Sequence, residues 1–170
     1  MIDTIFPPAD APTSARGPEV PNPRQCILVV EDDAAIRRVN TEVLTYSGYQ
    51  VDAADDGAAA WDALQLKNYD LVLTDNDMPK VTGLELIRKI QTARLELPII
   101  MATGTVPDEQ LTQLTRYSSW QPVLTLLKPY SFDELVEAVK SVLCAFNESR
   151  AENAPPPNWQ TSPLNNRFQL

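Results

Sequence analysis

The chain has 170 residues, of which 44% are apolar, and this is enough for one domain with a sizeable hydrophobic core. Its formal net charge of −9 argues against nucleic-acid binding, because neutralising phosphates requires clustered Lys and Arg. No basic segment leading into an apolar one follows Met1, and no apolar run reaches about 18 residues, so we expect neither export nor membrane insertion. These features predict a cytoplasmic protein without nucleic-acid or membrane partners.

The cysteines and prolines indicate the compartment and the domain boundaries. Cys26 and Cys144 are far apart in apolar segments, which predicts buried free thiols in a reducing compartment. Of the 15 prolines, six lie before residue 24 and four lie after residue 154. We therefore expect disordered tails at residues 1–24 and 148–170, and a compact domain at 25–147.

Short apolar runs alternate along the chain with segments of helical periodicity. The runs predict strands at residues 26–30, 49–54, 71–74, 98–102 and 123–127. Helices are predicted at Ala34–Ser47, Gly57–Lys67, Leu84–Arg94, Asp108–Tyr117 and Phe132–Phe146. Strict alternation implies parallel strands, right-handed crossovers and helices on both faces. The predicted fold class is therefore α/β, with a doubly wound, five-stranded parallel sheet.

Two of the predicted helices carry further signals. The first helix has apolar residues at three- and four-residue steps, and these are expected to face the core: Ile36, Val39, Val43 and Leu44. The last helix is expected to begin at Ser131 as its N-cap, because Glu134 follows at the spacing of a capping box.

The glycines argue against nucleotide binding. Only five are present, at positions 17, 48, 57, 83 and 104. Neither a dinucleotide-binding fingerprint nor a Walker loop can be written with this spacing.

Chemically active side chains follow four of the five predicted strands. Glu31 and Asp32 follow the first strand, Asp75 the third, Thr103 the fourth and Lys128 the fifth. A parallel sheet brings these ends to one edge, so the side chains should converge there. Three carboxylates in one pocket repel each other, and one lysine cannot balance them. Mg²⁺ is the expected counter-ion, because it prefers oxygen ligands and also accepts a phosphate oxygen.

Beside a metal ion, Asp75 becomes a candidate nucleophile toward a phosphoryl group. Phosphoryl transfer requires in-line positioning and neutralisation of the charge on three equatorial oxygens. Mg²⁺, the Lys128 ammonium and the Thr103 hydroxyl could each serve one of these oxygens. The sequence thus predicts a site for phosphoryl transfer to a carboxylate.

Four segments of the sequence resemble the signature blocks of the response regulator receiver domain of two-component signalling. These blocks are Ile27–Asp33 (ILVVEDD), Asp75–Pro79 (DNDMP) with Gly83, Ala102–Gly104 (ATG) and Leu127–Tyr130 (LKPY). Each block lies at a predicted strand end, and the resemblance covers about residues 25–147. It implies a (βα)5, flavodoxin-like receiver fold of the kind found in chemotaxis response regulators.

The resemblance implies roles for the acids. Asp75 would be the residue phosphorylated by a sensor histidine kinase. Glu31, Asp32 and Asp75 would hold Mg²⁺ together with the backbone carbonyl of Asp77. Asp33 is instead expected to belong to the start of the first helix, where an acid complements the helix dipole.

The resemblance also implies that Thr103 and Lys128 contact the phosphoryl group, and that the Lys128–Pro129 bond is cis. The sequence departs from the family at two places. Members that signal through an aromatic switch carry Tyr or Phe three residues before the lysine, where this chain has Thr125. The usual Gly-Ala type of turn before the fifth strand is replaced by residues 118–122. Coupling between Thr103 and the output face is therefore expected to use another route.

These observations favour a stand-alone receiver, because residues 148–170 are too few and too proline-rich for an output domain. It would catalyse only its own phosphorylation and dephosphorylation. Phosphorylation would change its affinity for a downstream protein that binds the face formed by the fourth predicted helix, the fifth strand and the last helix. A homodimer through the same face is a further prediction.

Three alternatives remain open. The chain has no His, so a phosphorelay shuttle would pass the group to a separate histidine phosphotransfer protein. A scaffold receiver would bind its partner without phosphorylation. A phosphatase of the haloacid dehalogenase type would use Asp75 and Asp77 as nucleophile and general acid. That class places its metal-binding acids after the lysine, whereas Glu31 and Asp32 come first here.

Overall fold

Five strands of five residues each form one parallel sheet in this computed structural model, which describes residues 25–104 and 121–153. They are β1 (Cys26–Val30), β2 (Gln50–Ala54), β3 (Leu71–Asp75), β4 (Ile99–Thr103) and β5 (Val123–Leu127). Their order across the sheet is β2-β1-β3-β4-β5. The α/β class and the parallel five-stranded sheet predicted from the sequence are confirmed.

Four helices are described, and the last is much the longest. They are α1 (Ala34–Tyr46), α2 (Gly57–Leu66), α3 (Gly83–Thr92) and the C-terminal helix (Phe132–Asn153). The helix predicted at Asp108–Tyr117 lies outside the described residues, as do residues 118–120 and most of both predicted tails. None of the described helices combines the length and the apolar character needed to cross a membrane.

The sheet is covered on both faces, which explains why its inner strands are continuous apolar runs. Every residue of β1, β3 and β4 is buried. Alternate side chains point to opposite faces, so that Leu28 and Val72 pack with α2 and α3. Ile27 and Leu71 pack with α1 and the C-terminal helix. The sheet therefore lies between two apolar layers, and these layers fix the position of its carboxyl edge.

Two helices begin at the residues that the sequence predicts. The Asp33 carboxylate accepts hydrogen bonds from the backbone N–H groups of Ala35 (2.8 Å) and Ile36 (3.0 Å), and so it caps α1. The C-terminal helix begins with the predicted capping box, in which the Glu134 carboxylate accepts from the Ser131 N–H at 2.7 Å. The Glu134 N–H donates in return to the Ser131 hydroxyl at 3.2 Å.

The prediction that Ile36 and Val39 face the core is wrong. They are 39% and 38% exposed, while Asn40 is buried in their place. The Asn40 amide Nδ2 donates to the Tyr130 hydroxyl at 3.1 Å, and this bond compensates for the burial of a polar group. α1 is therefore rotated so that Asn40 and Leu44 point inward.

Two further expectations are corrected at the C-terminal helix. Cys26 is buried as predicted, but Cys144 is exposed because it lies on the outer face of this helix, with its thiol 3.4 Å from the Glu148 carboxylate. The helix also ends at Asn153 and not at Phe146. The residues beyond Phe146 contain no proline before position 155, so nothing in their backbone ends the helix earlier.

Replacing Tyr130 with Phe should destabilise the protein, because the buried Asn40 amide would lose its partner. We expect the free energy of unfolding to fall by about 1–2 kcal/mol in chemical denaturation. The matched control is the same substitution at Tyr46, which is almost fully exposed. That variant should stay within about 0.5 kcal/mol of the unmodified protein. Equal effects of the two substitutions would contradict a stabilising role for the Asn40–Tyr130 pair.

Candidate active site

Three carboxylates meet at the carboxyl edge of the sheet. One oxygen each from Glu31, Asp32 and Asp75 lies within 4.8 Å of the other two. The parallel pairing of β1 with β3 places Val30 opposite Thr74, so the residues that follow them emerge side by side. Glu31 and Asp75 are buried, whereas Asp32 is exposed to solvent. The structure thus brings together the three acids that the sequence places at strand ends.

Lys128 bridges the two buried acids from the end of β5. Its Nζ lies 3.0 Å from Asp75 Oδ2 and 3.1 Å from Glu31 Oε2. Burial works to lower the pKa of Lys128, but hydrogen bonds and charge interactions with the two carboxylates outweigh it and raise the pKa. Burial raises the pKa of Glu31. The hydrogen bond from Lys128 lowers this pKa, but the neighbouring Asp75 charge raises it, and the net shift is upward.

The acid cluster fits a hard divalent cation. Two of its carboxylates are removed from water, and Lys128 supplies one positive charge against three negative ones. The donors are all oxygen atoms, which is the ligand set that Mg²⁺ prefers. Asp77 lies outside this cluster, and its exposed carboxylate accepts a hydrogen bond from Asn76 Nδ2 at 3.1 Å. Only the backbone carbonyl of Asp77 was expected at the metal, and that role stays a prediction.

Each carboxylate oxygen of Asp75 has a partner in the structure. Its Oδ1 accepts from the Asn76 N–H at 2.8 Å, while Oδ2 faces Lys128. The Thr74 hydroxyl donates to the Asp75 carbonyl at 2.9 Å. Gly83 lies against the same carbonyl oxygen, so closely that a Cβ atom would have no room. Glycine is required here by this close approach of two backbone segments.

Thr103 is buried as the last residue of β4, next to this site. The β3–β4 register pairs Asp75 with Ala102, one residue before Thr103. The Lys128 N–H donates to the Thr103 carbonyl at 2.8 Å, which ties the ends of β4 and β5 together. The Lys128–Pro129 bond is cis, as expected.

Thr125, at the position expected for an aromatic switch, lies within β5. It pairs with Met101 of β4 and is half-buried. Thr125 therefore occupies the middle of the strand, where the sheet register fixes its backbone, and it offers no ring to move toward Thr103. Position 125 therefore cannot supply the aromatic switch that other members of the family use.

Arg37 is a residue at this edge that the sequence reasoning missed. Its Nη1 donates to the backbone carbonyls of Glu31 (2.6 Å) and Asp32 (3.1 Å), so it fixes the segment that carries two of the acids. A cation one turn into the helix that follows an acidic segment is the signal that could have identified it.

A cleft of about 530 Å³ opens beside Lys128, between α1 and the start of the C-terminal helix. Most of its lining is apolar and includes the exposed side chains of Ile36, Val39 and Phe132. Exposed apolar side chains grouped around a cleft are typical of a surface that another molecule covers. The acid cluster is therefore bordered by an apolar surface on the side of α1.

Comparison with known proteins gives consistent matches. The family model of the response regulator receiver domain matches residues 27–140. The response regulator receiver protein CpdR of Brucella abortus is 32% identical over 124 residues, which are 70% of this chain and 97% of the relative. The response regulator MprA of Mycobacterium sp. (strain KMS) is 29% identical over 131 residues, which are 76% of this chain. The chain spans only 55% of that relative's length.

Solved structures agree with these matches. The chemotaxis protein CheY4 of Vibrio cholerae superposes with a TM-score of 0.62 at 27% identity, covering 71% of this chain and 99% of that one. The response regulator TrrA of Thermotoga maritima, solved in complex with Mg²⁺ and BeF, has a TM-score of 0.59 at 33% identity, with 69% of this chain and 98% of that one covered. Because the family model extends over more than half of the sequence, from β1 into the C-terminal helix, this chain belongs to the response regulator receiver domain family of two-component signalling.

Proposed function

We propose that this chain accepts a phosphoryl group on Asp75 from a sensor histidine kinase, in a reaction that depends on Mg²⁺. The observation that carries the proposal is the position of the Asp75 carboxylate, which is buried 3.0 Å from the Lys128 ammonium and within 4.8 Å of two other acids. Receiver domains bind Mg²⁺ at an acidic pocket and interact with histidine kinases. The donor set found here fits that chemistry.

In the proposed reaction, an oxygen of Asp75 forms a bond to phosphorus while the bond between phosphorus and the donor's imidazole nitrogen breaks. The electron pair of the broken bond stays on that nitrogen. The Lys128 ammonium lies 3.0 Å from Asp75 Oδ2, so the attacking carboxylate already has a cation beside it. The chain contains no His, so the phosphohistidine belongs to another molecule.

Other residues neutralise the charge that the transferring group carries. Lys128 and the Thr103 hydroxyl would each contact one phosphoryl oxygen. Glu31, Asp32, Asp75 and the Asp77 carbonyl would hold Mg²⁺. When bound, the metal would neutralise charge on the remaining oxygen and on the acids themselves. The neighbour TrrA, solved with Mg²⁺ and BeF, supports this assignment.

We further propose a stand-alone receiver whose phosphorylation alters the binding of a downstream protein. This chain covers 97% of CpdR, a relative named as a receiver protein, which supports the stand-alone form. Leu124 and Leu127 of β5 are exposed, which supports β5 as part of the surface that binds the partner. The buried free thiol of Cys26 supports a reducing compartment, such as the cytoplasm.

Incubation with acetyl phosphate and Mg²⁺ should add one phosphoryl group, measured as intact mass. We expect Asp75→Asn to abolish the gain, and EDTA to abolish it in the unmodified protein. Asp77→Asn is the matched control, because it removes a nearby carboxylate but keeps the backbone carbonyl. That variant should still be phosphorylated.

Several outcomes would contradict the proposal or favour one of its alternatives. An equal gain in Asp75→Asn would place the phosphoryl group elsewhere. No gain under any condition would favour a scaffold receiver that works without phosphorylation. Sustained release of phosphate from added phosphate esters would indicate a phosphatase. Transfer from the phosphorylated protein to a purified histidine phosphotransfer protein would favour the shuttle.

Mg²⁺ should stabilise the folded protein, because only the folded chain brings the acids together. At about one hundred times its Kd, the ion should raise the free energy of unfolding by about 2.7 kcal/mol in chemical denaturation. The gain should shrink as the pH falls toward the raised pKa of Glu31, because a protonated carboxyl binds the metal poorly.

Glu31→Gln and Asp32→Asn should each remove most of this gain. Asp33→Asn is the matched control, because Asn also caps helices and Asp33 serves α1. A loss of the Mg²⁺ effect in Asp33→Asn equal to that in Asp32→Asn would contradict the assignment of the two acids.

A further inference from the structure

An ion pair holds the loop between β3 and α3, residues 76–82, against the start of α2. Lys80 Nζ lies 2.6 Å from Asp56 Oδ2. The two residues are 24 positions apart in the sequence, so the pair joins two different loops at the carboxyl edge of the sheet. Asp56 is almost fully buried, whereas most of the Lys80 side chain is exposed.

Asp56 uses its two carboxylate oxygens for different purposes. Oδ1 accepts from the N–H groups of Ala58 (2.9 Å) and Ala59 (2.8 Å) and so caps α2. Oδ2 is left for Lys80. The carboxylate is therefore fixed in place by the helix, and it provides a rigid anchor for a loop that has no regular secondary structure.

The backbone of the loop shows why an anchor is needed. Lys80 has a φ of 65°, in the left-handed region that is strained for a residue other than glycine. The next residue, Val81, lies against Gly57, where a Cβ atom would come within 2.6 Å of the Val81 carbonyl oxygen. The ion pair and this contact together hold a strained turn against α2.

The other end of the same loop closes on Asn76, next to Asp75. The Asn76 carbonyl accepts from the N–H groups of Met78 (3.1 Å) and Gly83 (3.2 Å), and the Met78 side chain is buried. Asp77 lies between these fixed points. The position of its carbonyl therefore depends on the loop conformation that the Lys80 turn maintains.

We propose that Lys80 and Asp56 are positioning residues, which hold the loop so that the Asp77 carbonyl is presented to Mg²⁺. The inference rests on the proposed function, because it assigns a support to the metal site named there. Neither residue touches the metal or the phosphoryl group. Without the ion pair, the strained turn relaxes in part of the population. The apparent Mg²⁺ affinity then falls in proportion to the fraction of molecules whose loop keeps the conformation that binds Mg²⁺.

The test is the Mg²⁺ Kd of the full-length protein, measured by isothermal titration calorimetry on two single variants and their double variant. Asp56→Asn keeps an oxygen to cap α2 but removes the charge that pairs with Lys80. Lys80→Met removes the other partner. We expect each to raise the Kd about three- to fivefold, in keeping with the strength of a partly exposed ion pair. The double variant should be no weaker than either single variant.

The direction of the change in the Mg²⁺ Kd distinguishes positioning from a simple charge effect. Loss of the Lys80 cation alone would tighten Mg²⁺ binding through electrostatics, whereas loss of the Asp56 anion would weaken it. Only positioning predicts weaker binding in both variants. Lys67→Met is the matched control, because Lys67 pairs with Asp52 at 2.8 Å near the other end of α2. Its Kd should not rise.

Three results would overturn the positioning proposal. Normal Mg²⁺ binding by the unmodified protein with no change in Asp56→Asn or Lys80→Met would overturn the positioning proposal alone. Tighter binding in Lys80→Met would also overturn it. No Mg²⁺ binding by the unmodified protein would overturn the metal site and this inference together. Denaturation without Mg²⁺ serves as the folding control, and both variants should unfold in one cooperative transition, as the unmodified protein does.

Discussion

The attraction between the Lys128 ammonium and the carboxylates of Asp75 and Glu31 is the interaction on which the site depends. Two buried acids so close together repel each other and lose their hydration, and both effects cost free energy. Lys128 contacts both and offsets part of this cost, but it leaves the cluster with excess negative charge. That excess is what makes the pocket suited to a divalent cation and, with the cation bound, to a phosphoryl group.

The rest of the fold supports this cluster from several sides. The sheet register sets β1, β3, β4 and β5 so that their ends meet at one edge. Arg37 holds the carbonyls of the β1–α1 segment, and Asn40 holds Tyr130 beside the segment that carries Lys128. These contacts are hydrogen bonds to the backbone or between partly buried side chains, which keep their geometry better than exposed ion pairs do. The acids are therefore close together before any ligand arrives.

Features with a local cause could be predicted from the sequence. Continuous apolar runs identify the strands, Asp33 and the Ser131 capping box identify two helix starts, and alternation of elements identifies the parallel sheet. The convergence of Asp75, Glu31 and Asp32 followed from the same alternation, since parallel strands end at a common edge.

Features set by contacts between distant segments could not be predicted. Helical periodicity alone pointed Ile36 and Val39 inward, whereas the bond to Tyr130, 90 residues away, favours burying Asn40. The Lys80–Asp56 pair leaves no pattern in the sequence, because its partners are 24 residues apart and meet only in the tertiary fold. Exposure of Cys144 likewise follows from the face of the helix that packs on the sheet.

The most direct test of the central claim is to locate the phosphoryl group on the chain. Protein treated with acetyl phosphate and Mg²⁺ would be reduced with borohydride, which converts an aspartyl phosphate to homoserine, and then digested for peptide mapping. We predict homoserine at position 75 and at no other acid. Homoserine at position 32 or 77 and not at position 75, or no homoserine at any position, would contradict the assignment of Asp75 as the acceptor.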